Sequence, residues 1–305
     1  MVKPPRLKKG DTVGVIAPAS PPNQENLTRG LKFIEELGLT YKLGKYIKEE
    51  HGYLSGKDEE RLSDLHDMFI DESIKGIICA GGGYGTARIA ARMDFEMVKT
   101  NPKIFWGYSD ITFLHTAIRQ QTGLVTFHGP MLASDIGKVD ANQISKDYFS
   151  QLFEPIEIVY NEKIAPLEEI VPGIAEGILV GGNLSLLSSS MGTPFEIDTE
   201  GKILLIEDVN EEPRAIDRML NQLHMAGKLE AAEGIVIGDF NNCVPERERS
   251  LSLDEVLAHY MKLAKRPALK GFGIGHCSPH ISVPLGTRAK LDTAAKALII
   301  ESGIQ

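Results

Sequence analysis

Short runs of aliphatic and β-branched residues recur along this chain, each closed by glycine or a polar residue and followed by a segment of helical spacing. That alternation limits the fold more than any other feature. A strand that feeds a helix must return through a crossover, so successive strands lie parallel in a layered α/β sheet. The first such unit is the strand over residues 12–17 with a helix over 25–37. The second is the strand over 74–80, the turn Gly81-Gly-Gly-Tyr-Gly85 and a helix through Arg88 and Ala91. The third is the strand over 103–107, then Tyr108-Ser-Asp110 and a helix over 111–121.

Residues 153–172 break this rhythm with Pro155, Pro166 and Pro172 among scattered acids and only short β-like pieces such as Ile156 to Tyr160, and the composition predicts a linker or crossover. A second series follows, with strands over 177–181, 202–206, 234–238 and 271–275, helices from Leu184, over 213–225 and over 253–264, and a closing hairpin from Gly286 to Ile300. The expected organisation is an N-terminal domain over 1–152, a mostly parallel sheet with flanking helices, and a smaller C-terminal α/β domain over 173–305. A length of 305 residues fits two domains at roughly 100–200 residues each.

Net charge excludes some partners. With 33 Lys and Arg against 42 Asp and Glu, the formal charge is −9, which repels nucleic-acid backbones and anionic lipid. Three widely spaced cysteines, Cys79, Cys243 and Cys277, form neither a disulfide framework nor a C-x-x-C site and fit a reducing compartment. No run nears the roughly 18 apolar residues of a membrane span, and the apolar stretch from Val13 is closed by Pro18, too short for a signal-peptide core. The expectation is a cytoplasmic protein acting on a small molecule, with no nucleic acid and no membrane partner.

In parallel α/β sheets, loops at the carboxyl ends of strands converge on a crevice, and four of them carry reactive residues. Gly81-Gly-Gly-Tyr-Gly85 does not fit the dinucleotide or phosphate-loop patterns but can present backbone N–H groups to an anion; a plain tight turn is the alternative. In Trp106-Gly-Tyr-Ser-Asp110, a serine between a buried strand and a helix follows the logic of a nucleophile elbow, and an ordinary N-cap is the alternative. Glu207-Asp208, after an apolar strand, could orient a histidine or simply charge a solvated turn. His276, ending a strand in Gly275-His-Cys-Ser-Pro-His280, could be a general base or a structural residue. Cys277 is its neighbour and points away from it. His276 with His280 lacks the further ligands of a metal site, so no metal is expected.

Taken jointly, these motifs resemble the LD-carboxypeptidases of peptidoglycan recycling, a family that includes microcin-immunity hydrolases. The matching pieces are Gly10-Asp-Thr-Val-Gly-Val-Ile-Ala-Pro18, Gly82-Gly-Tyr-Gly85 with Arg88, Gly107-Tyr-Ser-Asp110, and Gly181-Gly-Asn-Leu-Ser185. Leu205-Ile-Glu-Asp-Val-Asn-Glu211 with Asp217-Arg-Met-Leu220 and Gly275-His276 with Pro284-Leu-Gly286 complete the set. The resemblance implies a serine carboxypeptidase with Ser109 as nucleophile, His276 as base and Glu207 as orienting acid. It further implies no metal or nucleotide cofactor, an active site in the cleft between the two domains, and a homodimer. The reaction implied is release of terminal D-alanine from a peptidoglycan tetrapeptide through an acyl-enzyme. Candidate oxyanion donors are the N–H groups of Asp110 and of the Gly82-Gly83 turn, and Arg88 is the candidate basic contact for substrate. The family often carries arginine where this chain has Gly81, which removes one carboxylate contact. Two other readings remain open: a microcin-immunity-type hydrolase of aminoacyl or peptidyl adenylate analogues, and a non-catalytic small-ligand-binding protein.

Overall fold

Val13 and Val15 of β1 (Thr12–Ile16) point to one face of a sheet, and Gly14 points to the other. On the valine side, Leu27, Leu31 and Ile34 of the helix Gln24–Glu36 join them in one buried cluster. On the glycine side, Met68 of the helix Asp58–Ile70 lies directly against Gly14. Helices therefore cover both faces, as a parallel sheet requires. A computed structural model describes residues 1–305, and the chain divides into two units. One holds Met1–Ile156, Ser278–Gly286 and Ser302–Gln305; the other holds Glu157–Cys277 and Thr287–Glu301.

In the first unit β2 (Thr40–Leu43), β3 (Ile74–Cys79), β4 (Ile104–Gly107) and β5 (Thr126–His128) continue the sheet begun by β1, all in parallel register. Its core holds Trp106, Phe127, Phe149 and Ile78.

The second unit does not begin with a linker. Within the 153–172 stretch lie β6 (Ile158–Asn161) and β7 (Glu168–Val171). These become the two edge strands of a second sheet: the β-like piece over 156–160 is the first, and the second lies unannounced between Pro166 and Pro172. Between those edges run β8 (Ile174–Asn183), β9 (Lys202–Val209), β10 (Gly234–Asn241) and β11 (Ala268–Lys270), mutually parallel. Val180, Leu204, Ile206, Ile235 and Ile237 pack with Leu220 and Leu223 of the helix Pro213–Met225 and with Leu257 and Met261 of the helix Leu253–Ala264. Pro213 opens the first of these helices, and a Ser252–Glu255 capping box opens the second.

The strand expected over 271–275 is absent. Gly273 donates its N–H to the Tyr160 hydroxyl at 2.6 Å, and Ile274 donates to Phe272 O, so neither group is left for a ladder. The chain then returns to the first unit, where β12 (Val283–Leu285) adds antiparallel to β5 with Val283 opposite His128 and completes the order β12-β5-β4-β3-β1-β2. β13 (Arg288–Asp292) and β14 (Ala297–Ile300) form the expected hairpin in the second unit, whose eight strands run β6-β14-β13-β8-β9-β10-β11-β7. The last residues belong to the first unit again: Ile304 is buried in its core, and Gln305 hydrogen-bonds Pro4 O and Lys3 O. The expected split into 1–152 and 173–305 thus gives way to two interleaved units, because a strand and a tail from the C-terminal third complete the first sheet and its core. No helix is long and apolar enough to cross a membrane.

Candidate active site

β4 is fully buried and ends at Gly107, whose carbonyl accepts N–H groups from Gly129 at 3.1 Å and from His115 Nε2 at 2.8 Å. His115 is wholly buried, and burial pushes its pKa down to about 3, so a neutral ring holds the end of the strand. Tyr108 stays extended, and Ser109 then takes φ 62, a left-handed conformation that costs a non-glycine residue about 1–2 kcal/mol. A 3-10 turn over Ser109–Ile111 leads into the helix Thr112–Thr122. This is a sharp, strained strand-to-helix corner with a serine at its apex.

The glycine loop packs against that apex. A Cβ placed on Gly82 would lie 3.0 Å from Ser109 Cβ and 3.2 Å from Ser109 Oγ. Asp110, 2% exposed, accepts the Thr86 N–H at 2.8 Å, while the Thr86 hydroxyl donates to Asp110 O at 2.6 Å. Burial raises the Asp110 carboxyl above its usual range. The Asp110 side chain therefore ties the loop exit to the serine corner. The N–H groups of Gly82, Gly83 and Asp110 form no hydrogen bond within the chain.

Arg88 does not present an open basic contact. Its Nε and Nη2 each donate to Asp58 at 2.9 Å, and Asp58 also accepts from the buried Arg61. Held first by Arg88 and then by Arg61, Asp58 titrates below its usual range. A sequence cannot show this, because the partners are 30 residues apart. Arg61, on the helix Asp58–Ile70, is itself buried and donates to Pro18 O and Gly85 O.

In the second unit Glu207 and Asp208 are the last inward and outward turns of β9, which continues through them to Val209 instead of stopping before them. Adjacent strand residues point to opposite faces, and their partners differ accordingly. Glu207, 0% exposed, meets His276, whose Nδ1–H donates to Glu207 Oε2 at 2.7 Å. That contact fixes the neutral imidazole as the Nδ1–H tautomer and leaves Nε2 as its basic nitrogen. Asp208 accepts instead from Asn183 Nδ2, from the N–H and hydroxyl of Ser185, and from Val209 N–H. Burial, then the Glu207 charge, raises its pKa to about 6. Asp239, half-buried on β10, is likewise raised by burial and by Glu207.

His276 does not end a strand. It lies in an irregular loop whose backbone is held by Asn241, Nδ2 donating to His276 O at 2.5 Å. Gly275, at φ +125, is what admits the carboxylate, since a Cβ there would stand 2.6 Å from Glu207 Oε2. His280 belongs elsewhere: its N–H donates to Ser145 Oγ, and its ring packs edge-on against Tyr108 at 4.6 Å in the first unit. The structure thus gathers Ser109, Gly82, Gly83 and Asp110 in one unit, and Glu207 and His276 in the other.

The LD-carboxypeptidase N-terminal domain matches residues 13–129, and the LD-carboxypeptidase C-terminal domain matches residues 176–291. The chain belongs to the LD-carboxypeptidase family. It is accordingly an enzyme, a carboxypeptidase of the serine type. Among its relatives is a Bacillus subtilis protein named "Probable murein peptide carboxypeptidase", 62% identical over 303 residues, covering 99% of this chain and 95% of that one. The "Murein tetrapeptide carboxypeptidase" of Pseudomonas aeruginosa is 30% identical over 300 residues, covering 92% of each. Among solved structures, an MccF-like protein from Bacillus anthracis superposes with a TM-score of 0.88 at 29% identity, covering 99% of this chain and all of the other.

Proposed function

We propose that this LD-carboxypeptidase hydrolyses the L-to-D amide bond that releases terminal D-alanine from peptidoglycan tetrapeptides, with Ser109, His276 and Glu207 as its triad. The observation that carries the reading is the 2.7 Å contact of His276 Nδ1 with a fully buried Glu207. A buried carboxylate fixes the tautomer and stabilises the imidazolium that forms when Nε2 takes a proton. In the proposed first step Ser109 Oγ attacks the scissile carbonyl and its proton passes to His276 Nε2. The oxyanion is met by N–H groups of the Gly82-Gly83 turn and Asp110. Collapse breaks the amide bond as His276 returns the proton to the leaving amine of D-alanine. Water then repeats the sequence on the acyl-enzyme. No step requires a metal or an organic cofactor.

The names of the relatives support a cell-wall peptide as substrate. Cell-wall recycling in the cytoplasm, by a homodimer, is inferred from the family resemblance; fractionation and sedimentation check both. The deciding experiment measures D-alanine released by the purified protein. We expect the free tetrapeptide to be cut, and its C-terminal amide, its all-L isomer and the pentapeptide ending in D-alanyl-D-alanine to be cut poorly. Intact peptides alongside efficient hydrolysis of an aminoacyl-sulfamoyl adenosine would replace this reading with the immunity-type one.

A further inference from the structure

Ser20, in the turn that follows β1, makes two hydrogen bonds to the glycine loop. Its N–H donates to Gly82 O at 3.1 Å, and its hydroxyl accepts the Tyr84 N–H at 3.1 Å. These two bonds hold the two peptide planes on either side of Gly83. The Gly82–Gly83 peptide is trans and planar, so fixing its carbonyl toward Ser20 turns the Gly83 N–H the opposite way. The hydrogen bond at that carbonyl also polarises the peptide and makes the N–H a better donor. Gly83 itself has φ +111, and a Cβ there would collide with the Ser20 side chain, so this geometry exists only with glycine at 83 and a small side chain at 20.

Ser20 is itself rigidly mounted. Pro18 O accepts from Arg61 Nη1 at 2.5 Å, and Ala19 O accepts from Ser55 N–H at 2.9 Å. The same Arg61 nitrogen donates to Gly85 O at 2.9 Å, so one buried guanidinium joins the base of the turn to the far end of the glycine loop. Side chains and backbone thus fasten Gly82 O, Tyr84 N–H and Gly85 O, while the N–H groups of Gly82 and Gly83 remain unengaged and Gly82 lies against Ser109. A loop held at these three backbone groups, with two adjacent donors left unengaged, is preorganised to receive an anion there.

We propose that Ser20 is a positioning residue that aims the Gly83 N–H at the oxyanion formed on attack by Ser109. The proposal rests on the reading of Ser109 as nucleophile, and its test separates the two. A fluorophosphonate probe needs no knowledge of the natural substrate: Ser109 Oγ bonds to phosphorus, fluoride departs with the P–F electron pair, and the serine proton passes to the general base. The wild-type protein should be labelled once per chain, with Ser109→Ala unlabelled. Ser20→Ala keeps the backbone N–H on Gly82 O and loses the hydroxyl that holds the Tyr84 N–H on the other side of Gly83, so it should be labelled about 10-fold more slowly to the same endpoint; Ser20→Thr should recover most of the rate, and on the tetrapeptide kcat should fall with KM little changed. A role in folding alone would lower the labelled fraction and leave the rate per competent site unchanged, and that outcome overturns the proposal. So does a Ser20→Ala rate equal to wild type. A wild-type protein inert to the probe overturns the nucleophile assignment and the proposal with it.

Discussion

Replacing Gly275 by alanine adds one methyl group at the point where the His276 loop and Glu207 meet. At φ +125 an L-residue is strained by about 1–3 kcal/mol. The added Cβ would also stand 2.6 Å from Glu207 Oε2 and 2.9 Å from Glu207 Cβ, well inside van der Waals contact, so the carboxylate or the loop must shift. Glu207 has nowhere exposed to go. Overpacking of this kind costs about 1–3 kcal/mol more, and total destabilisation of about 2–6 kcal/mol should appear in urea unfolding. The functional loss should exceed what stability explains, because displacement of the carboxylate removes the bond that fixes the imidazole tautomer. A loss of about 10³–10⁴ in kcat is the scale for an orienting acid. The assay is D-alanine release under conditions where the variant is fully folded, with Glu207→Gln and the double variant measured beside it. If Gly275→Ala acts through Glu207, the double variant should be little worse than Glu207→Gln alone. Activity of Gly275→Ala within about threefold of wild type, or losses that simply add, would refute the reasoning.

Ser109→Ala and Ser109→Gly should both lose several powers of ten in turnover, yet the glycine variant should unfold at higher denaturant, by about 1 kcal/mol, because it alone relaxes the left-handed residue; equal stabilities would show that the corner stores no strain. Glu207→Gln should lose about 10³–10⁴ in kcat. Asp208→Asn should instead lose about 1–3 kcal/mol of stability, as one amide oxygen replaces a carboxylate with four donors, with activity kept within about tenfold; the reverse pattern would exchange the roles of the two acids. His115 should steepen acid unfolding. The unfolded histidine binds its proton near pH 6.5 and the folded one only near 3, so stability is lost as pH falls through that window, by up to about 1.4 kcal/mol per pH unit. His115→Gln should flatten that slope, and an unchanged slope would mean that the ring already titrates freely in the native state.

What the sequence revealed and what it hid divide along the range of the interactions. The strands β1, β3, β4, β9 and β10 and the helices over 213–225 and 253–264 announce themselves, because apolar spacing and caps are local properties. The choice of Glu207 over Asp208 as partner of His276 rested on resemblance, with pleat alternation allowing only one of the two, and the contact follows that choice. Of the edge strands, the β-like run over 156–160 marks β6, whereas β7 opens on two exposed glutamates and shows no apolar alternation. Gly271–Gly275 looked like a strand because its apolar residues alternate, yet the hydroxyl of Tyr160, more than a hundred residues away, captures the Gly273 N–H. Arg88 looked available because nothing nearby in sequence predicts that Asp58 holds it on two edges. The strand over 271–275 and the open Arg88 both give way to long-range capture of a group whose local surroundings suggest another use.

The return of residues 278–286 and 302–305 to the first unit has a consequence for synthesis. A ribosome that has released residue 156 has delivered five parallel strands, but β5 still lacks its outer neighbour and the core still lacks Ile304. An open strand edge of that kind is a template for pairing with another chain. It stays open until β12 is made, some 6–26 seconds later at about 5–20 residues per second. Cutting the gene at the apparent boundary would make that transient state permanent. A fragment of residues 1–156 is therefore expected to aggregate, and one rebuilt with residues 278–286 and 302–305 through short flexible linkers should be the smaller piece that folds alone.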